Sequence, residues 1–433
     1  DKKRIKILIF IVIFLILLSV TIVIILHITK KPTNSPTNPP TNPPTDPPTD
    51  PSASACNYDD TIPNAVHYSG NIYEVSSTQT RFWESLKTHP DNVAVPVFDH
   101  SDNLFTLIFE DGARLSNAEK IRFLQEVYDV YDFYVNNLKF TRPRYKISVL
   151  IAPTGGIAGG GTFDNPNFAM PQNHIQAIPR HSPNHAIAHE LTHALQSGSG
   201  GMTSSSSDNY CEWFWECHAE LMNVLYFKHK GVLTVKYARA LVNSPQLYYG
   251  STRNRYCNWQ FWLYVVLKHG INTVNDLWLF RKCTGEVSPF SALLHTLNLT
   301  IQDLNMLFAN WAMSNVGWKE YGGFAEFFKS NFDINDNRSF LQHARKTFVK
   351  KITSSVYTPP KYLSPNRWGY NIIQLFGTAP QSTIQFRGVP QVEIDANTWN
   401  NRRIRKHEPV NKPLPFSEWH WGVVSIDENS GME

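Results

Sequence analysis

"AIAHELTHALQ", residues 186–196, is the stretch on which the reading of this chain turns. Two histidines, His189 and His193, stand four apart around Glu190. At 100° per residue, Ile187, Ala188, Leu191, Ala194 and Leu195 cover one broad arc of a helix. His185, His189 and His193 gather on the other side. Residues four apart are helix neighbours, so His189 and His193 can turn both imidazoles onto one ion. Glu190 then hangs beside that ion, placed to take a proton from water. Ser182 is placed to cap this helix, with Pro183 as its first residue and Gly198 as its end. A solvated histidine stripe is the plain alternative, so the reading depends on whether a third ligand follows.

"CEWFWECHAELMNVLYF", Cys211–Phe227, offers one. Asp208 or Asn209 can cap this second helix. Glu212, Glu216, Glu220 and Asn223 form one stripe, and Phe214, Trp215, Leu221, Met222 and Leu225 lie roughly opposite. Carboxylates stacked at every fourth position repel by a few tenths of a kcal/mol per pair, and no cation is interleaved here. Alone, such a stripe reads as an exposed acidic face. A histidine stripe on one helix and a carboxylate stripe on the next suit a zinc ion held by two His and one Glu.

The motif His189-Glu190-Leu191-Thr192-His193, followed 23 positions later by Glu216 in "WECHAE", resembles the gluzincin class of zinc metallopeptidases. "HAIAHELTHALQ" with "WFWECHAELM" is also similar to a little-characterised family of exported gluzincin-like proteins that carry a β-rich module after the helical part. The resemblance covers about residues 93–270. It implies an α+β, zincin-like domain: a small mixed sheet with the active-site helix, then a helical subdomain, then a small all-β domain. It implies one Zn2+ per chain on His189, His193 and Glu216, with Glu190 as general base and a protein or peptide as substrate. Glu220 takes the position that supports the first histidine by a hydrogen bond.

There are departures. Cys217 stands where many gluzincins have glycine, and could pair with Cys211 or another cysteine. Gln196 and Ser199 occupy the places of the glycine and third histidine of the metzincin extension, which is therefore absent. No residue is marked as the oxyanion stabiliser. Tyr248, Tyr249 and Tyr256 lie in the right part of the chain, although each also reads as an ordinary packing tyrosine. His185 could contact substrate, or be a surface or supporting histidine.

The flanks set the context. Ile7–Leu26 is uncharged and about as long as a bilayer core, with Lys2, Lys3, Arg4 and Lys6 before it. The positive-inside tendency makes residues 1–6 a cytoplasmic tail, 7–28 a transmembrane signal-anchor, and the remainder extracellular or lumenal, a type II arrangement. Secretion after signal cleavage is the alternative, disfavoured by the length of the apolar run. Residues 32–55 repeat Pro and Thr; at about 3.1 Å per residue in polyproline II they make a stalk of up to roughly 75 Å. Five cysteines, an odd count, leave at least one unpaired within the chain, and Cys56 at the stalk boundary is the natural candidate. Two sequons, at Asn298 and Asn337, fit an exported glycoprotein. Lys and Arg are scattered, so the formal charge of +4 points to no nucleic-acid surface.

Residues 56–354 form the expected metallopeptidase domain and 355–433 the β-rich one. "VAVPVFDH" and "LFTLIFED" read as strands around a turn at Ser101-Asp102-Asn103, and "YKISVLIA" as another strand. Ser116 and Glu119 signal a capping box for a helix to about Leu138, with Ile121, Leu124, Val127, Tyr128, Tyr131 and Val135 on its apolar face. The glycine-rich "TGGIAGGGTFD" reads as a loop and lacks the lysine of a phosphate cradle. "NHIQAIP" reads as a short strand. Residues 211 to about 350 read as mostly helical, and "NIIQLF", "STIQFRG" and "PQVEIDA" as short strands. The function expected is a membrane-anchored extracellular zinc metallopeptidase. The alternatives are a catalytically silent surface protein binding proteins or glycans, the latter through the C-terminal domain, and a purely structural ectodomain whose two polar stripes are solvated.

Overall fold

The computed structural model describes residues 56–58, 74–88, 97–101, 104–178, 183–201, 203–204, 212–233, 245, 256–283, 288–332, 346–349, 369–370 and 372–375. The expected membrane segment, the stalk, Asn337 and most of the expected β-rich domain lie outside them. Among the described residues no helix is long and apolar enough to cross a membrane.

After strand β1 (Cys56–Tyr58) and helix α1 (Ser77–Thr88), the chain lays down β2 (Val97–Ser101) and β3 (Phe105–Phe109). These two pair antiparallel. Helix α2 (Asn117–Asp132) follows and continues as a π-helical turn, Phe133–Asn137. Its capping box is present in both directions: Ser116 accepts from the Glu119 N–H, and Glu119 accepts from the Ser116 N–H. Leu124, Val127, Tyr131 and Val135 are buried, whereas Ile121, the most N-terminal of the expected apolar face, is exposed. Strands β4 (Ile147–Ala152), β5 (Ala158–Thr162) and β6 (Asn165–Pro171) complete a five-stranded sheet of order β2-β3-β4-β6-β5. Its centre, β3-β4-β6, is parallel, and both edges run antiparallel to it. A parallel centre is covered on both faces. Ile147, Val149 and Ile151 join the buried core, while Ser148 accepts from the Trp83 indole of α1 at 3.0 Å.

Two local expectations are corrected. The glycine-rich segment is not a loop: Ala158–Thr162 is the edge strand β5. Glycine disfavours strands because it packs nothing, but it is retained where another backbone must come close. "NHIQAIP" is no strand; Gln172–Gln176 forms the short helix α3, directly after Pro171, with Ile175 and Ile178 buried at helical spacing.

The motif helix α4 spans His185–Gly198 and packs on β5 and β6. Its cap is Asn184 rather than Ser182: the Asn184 side chain accepts from the Ile187 N–H at 3.1 Å. Pro183 precedes the helix. After β7 (Thr203–Ser204), α5 (Glu212–His229) lies alongside α4. Then come α6 (Trp259–His269), short turns over Asn272–Leu279, β8 (Phe280–Cys283), α7 (Ser288–Leu297), α8 (Ile301–Gly317) and α9 (Ala325–Phe332). This part is helical as expected, apart from β8 and the later β9 (Lys346–Val349). Strand β8 joins β1 and β7 in a second sheet, with Cys56 opposite Cys283. Aromatic rings fill the space between the helices; Phe214 stacks on Trp278 at 4.9 Å. Cys217 is a buried free thiol, so it does not pair with Cys211. Asn298 is exposed at a positive φ of 50° before the capping box of α8. Within "NIIQLF" the expected strand is present as β10 (Ile372–Leu375), parallel to β9; the other two expected C-terminal strands lie outside the described residues.

Candidate metal centre

Helix α4 is buried on every side from Ile187 to Gly198. His189 and His193 are therefore not on a solvated face, while His185 at the start of the stripe is part exposed. Several groups fix the helix in place. The Asn184 N–H donates to Glu126 of α2 at 3.0 Å, and the Tyr134 hydroxyl donates to the Ala188 carbonyl at 3.0 Å. On the sheet side, β5 comes so close that a Cβ on Gly159 would stand 2.6 Å from the Glu190 carbonyl oxygen and 2.9 Å from its Oε2. Only glycine lets this strand lie on the motif.

Glu216 on α5 faces His189 and His193 across the helix pair. Nε2 of His189 lies 3.1 Å from Nε2 of His193 and 3.2 Å from Oε2 of Glu216; the third edge, His193 Nε2 to Glu216 Oε2, is 3.6 Å. Donors about 2.0–2.1 Å from a tetrahedral zinc stand about 3.3–3.4 Å apart, so the triangle has the size of one face of such a site. Two nitrogens and a carboxylate oxygen are also the donor set that zinc takes. The residues present fit that ion.

The electrostatics agree. Burial works against charge on His189, but the Glu216 and Glu220 carboxylates outweigh it and push the ring up to about 10. Burial works against the Glu216 carboxylate as well, and the two histidines beside it overcome that, holding Glu216 well below the usual range. The cluster thus calls for positive charge at its centre, which protons or a divalent cation meet. Glu190 differs: burial raises its carboxyl, only partly opposed by the histidines. Its Oε2 has no hydrogen-bond partner among the described residues.

Glu220 is buried with His185 and His189 on either side. Its Oε1 lies 2.7 Å from Nδ1 of His189, an ion-pair contact rather than an aligned hydrogen bond, and 3.2 Å from Nε2 of His185. The His185 ring stacks on that of His189 at 5.8 Å. Tyr256 comes within 5.9 Å of His189, ring to ring, while Tyr248 and Tyr249 lie outside the described residues. Asn223 is buried at the far end of the acidic stripe.

Other contacts were not foreseen in the sequence. Nδ1 of His193 meets Oε1 of Gln196 at 2.8 Å, and Nε2 of Gln196 reaches both the Trp215 carbonyl and Nδ1 of His218. His218 is fully buried, and desolvation brings its ring down to about 3, so it is neutral. Gln196 does lie one turn after His193, a spacing that pattern reading could have used. The His218 contact has no local signal.

Among solved structures, the chain is similar to an M1 zinc metallopeptidase from Deinococcus radiodurans, with 14% identity and a TM-score of 0.31. That match spans half of this chain and half of the enzyme's own length. No curated protein matches the chain. The match to a family covers residues 114–433 and takes in both polar helices. The chain belongs to that family, described as "Family of unknown function (DUF6055)".

Proposed function

We propose that the chain is a zinc peptidase in which His189, His193 and Glu216 hold the metal and Glu190 is the general base. The observation that carries this reading is the triangle of 3.1, 3.2 and 3.6 Å between two imidazole nitrogens and a carboxylate oxygen, set beside a buried glutamate. When bound, zinc supplies a Lewis acid that polarises a peptide carbonyl and acidifies water. The chain's own residues do the rest. Glu190 takes a proton from the attacking water on its free Oε2 and passes it to the leaving amine. Burial supports this role, since a carboxyl raised above its ordinary range is the stronger base. Glu220 and His185 hold the His189 ring in place. Tyr256 is the described tyrosine placed to contact substrate.

The wider setting belongs to the same proposal. Residues 7–28 anchor the chain in a membrane, 32–55 hold the domain away from it, and the peptidase domain works on peptide or protein outside the cytoplasm. The division near residue 355 separates that domain from a β-rich one.

The test is the zinc content of the full chain, followed by cleavage of a peptide library. One zinc per chain is expected, lost in Glu216→Gln. Glu190→Gln should keep the zinc and cleave about 10²–10⁴-fold more slowly. A zinc-loaded parent that cleaves nothing overturns the enzyme and leaves a metal-bearing binding protein.

A further inference from the structure

Beyond the cluster itself, a run of buried hydrogen bonds leads from His193 away into the helical part. Most of its members are ambiguous, because an amide can be flipped and a neutral imidazole carries its proton on either nitrogen. Two members are not. The Trp278 indole only donates, and it points at Nδ1 of His218 from 3.1 Å. The Trp215 carbonyl only accepts, and it lies 3.1 Å from Nε2 of Gln196.

These two groups determine all the others. Because Nδ1 of His218 accepts from Trp278, its proton is on Nε2, which donates to Oδ1 of Asn275 at 3.0 Å. That orientation leaves the Asn275 amide to donate to the Leu138 carbonyl at 2.7 Å, as observed. Gln196 must turn its NH2 toward the Trp215 carbonyl, and the same NH2 lies 3.0 Å from Nδ1 of His218, where it shares that nitrogen's one lone pair with the Trp278 indole. Its oxygen is then left for His193, 2.8 Å away, so Nδ1 of His193 carries a proton and its Nε2, 3.1 Å from Nε2 of His189, keeps a lone pair for a cation. Gln196, His218 and Asn275 are all buried away from bulk solvent.

We infer that Gln196, oriented by Trp215, His218 and Trp278, is the positioning residue that sets the tautomer and ring angle of His193 for metal binding. The inference rests on the metal reading of the same cluster. It also accounts for a fully buried histidine that the proposed chemistry does not touch. Partners of this kind, acting through a ligand, typically change metal affinity by about 10–100-fold.

The experiment is a zinc competition titration of the full chain as parent, Gln196→Met and Glu216→Gln, with ring-nitrogen NMR of the 15N-histidine-labelled parent. Methionine keeps nearly the shape of glutamine and removes all three of its hydrogen bonds. Gln196→Met is expected to bind zinc about 10–100-fold more weakly while keeping the parent's circular dichroism. The NMR spectrum should show Nδ1–H on His193 and Nε2–H on His218. If the parent binds zinc, Glu216→Gln does not, and Gln196→Met matches the parent, this inference fails while the metal site stands. If the parent binds no zinc, both fail. Should Gln196→Met not fold, the ring protons decide: the opposite tautomer on either histidine overturns the inference.

Discussion

The Cβ position of Gly159 stands 2.6 Å from the backbone oxygen of Glu190, closer than any real side chain approaches a carbonyl. The edge strand and the motif helix are therefore in contact at the proposed general base. Gly159→Ala should force them apart and destabilise the fold by about 1–3 kcal/mol. Gly156→Ala is the control, since nothing lies within 4 Å of that Cβ, and it should stay within about 0.5 kcal/mol of the parent. Urea unfolding of the two variants measures the difference; equal midpoints would show that β5 does not bear on Glu190.

Zinc uptake should depend on pH through His189. Its ring is opposed by burial but pushed up to about 10 by Glu216 and Glu220, so near pH 7 it carries a proton that zinc must displace. The sign follows: lowering the pH weakens binding, about tenfold per unit below 10, and above that value the dependence levels off. Titrations in two buffers of different ionisation enthalpy count the protons released. About one from this ring is expected, and no release at pH 7 would contradict the assignment.

Glu220 should matter to the metal without contacting it. Its contact with Nδ1 of His189, at 2.7 Å, directs Nε2 of that ring toward Glu216. Glu220→Gln keeps the shape but not the charge, and should lower zinc affinity by about 10–100-fold. The same competition titration measures it; an unchanged affinity would reduce Glu220 to packing.

The cap of the motif helix should contribute to stability rather than chemistry. Asn184→Ala removes the bond to the Ile187 N–H and should cost about 1 kcal/mol, while the backbone bond to Glu126 remains. Thermal unfolding is expected to shift with the zinc stoichiometry unchanged. A loss of zinc would show that the helix start and the metal cluster are coupled.

Local, periodic features were legible in the sequence. The capping box at Ser116 and Glu119, strands β3 and β4, the two polar helices, and the pairing of His189 and His193 with Glu216 each follow from contacts within a few turns or from matching stripes on two helices. Segments whose role depends on a distant neighbour were misread. The run of glycines at Ala158–Thr162 has poor strand propensity, and its place at the sheet edge is explained only by the approach of Glu190. Ser182 was the cap expected, and the helix is capped instead by Asn184, whose backbone also meets Glu126 of another helix. Spacing and residue type determined which groups could form a metal centre. The tertiary structure alone decided that His189 and His193 are buried, that Glu190 lies under a bare strand, and that His218 stands behind Gln196. The contacts of Gln196 with Trp215 and of His218 with Trp278 join residues 19 and 60 positions apart, and no helical or strand period extends that far.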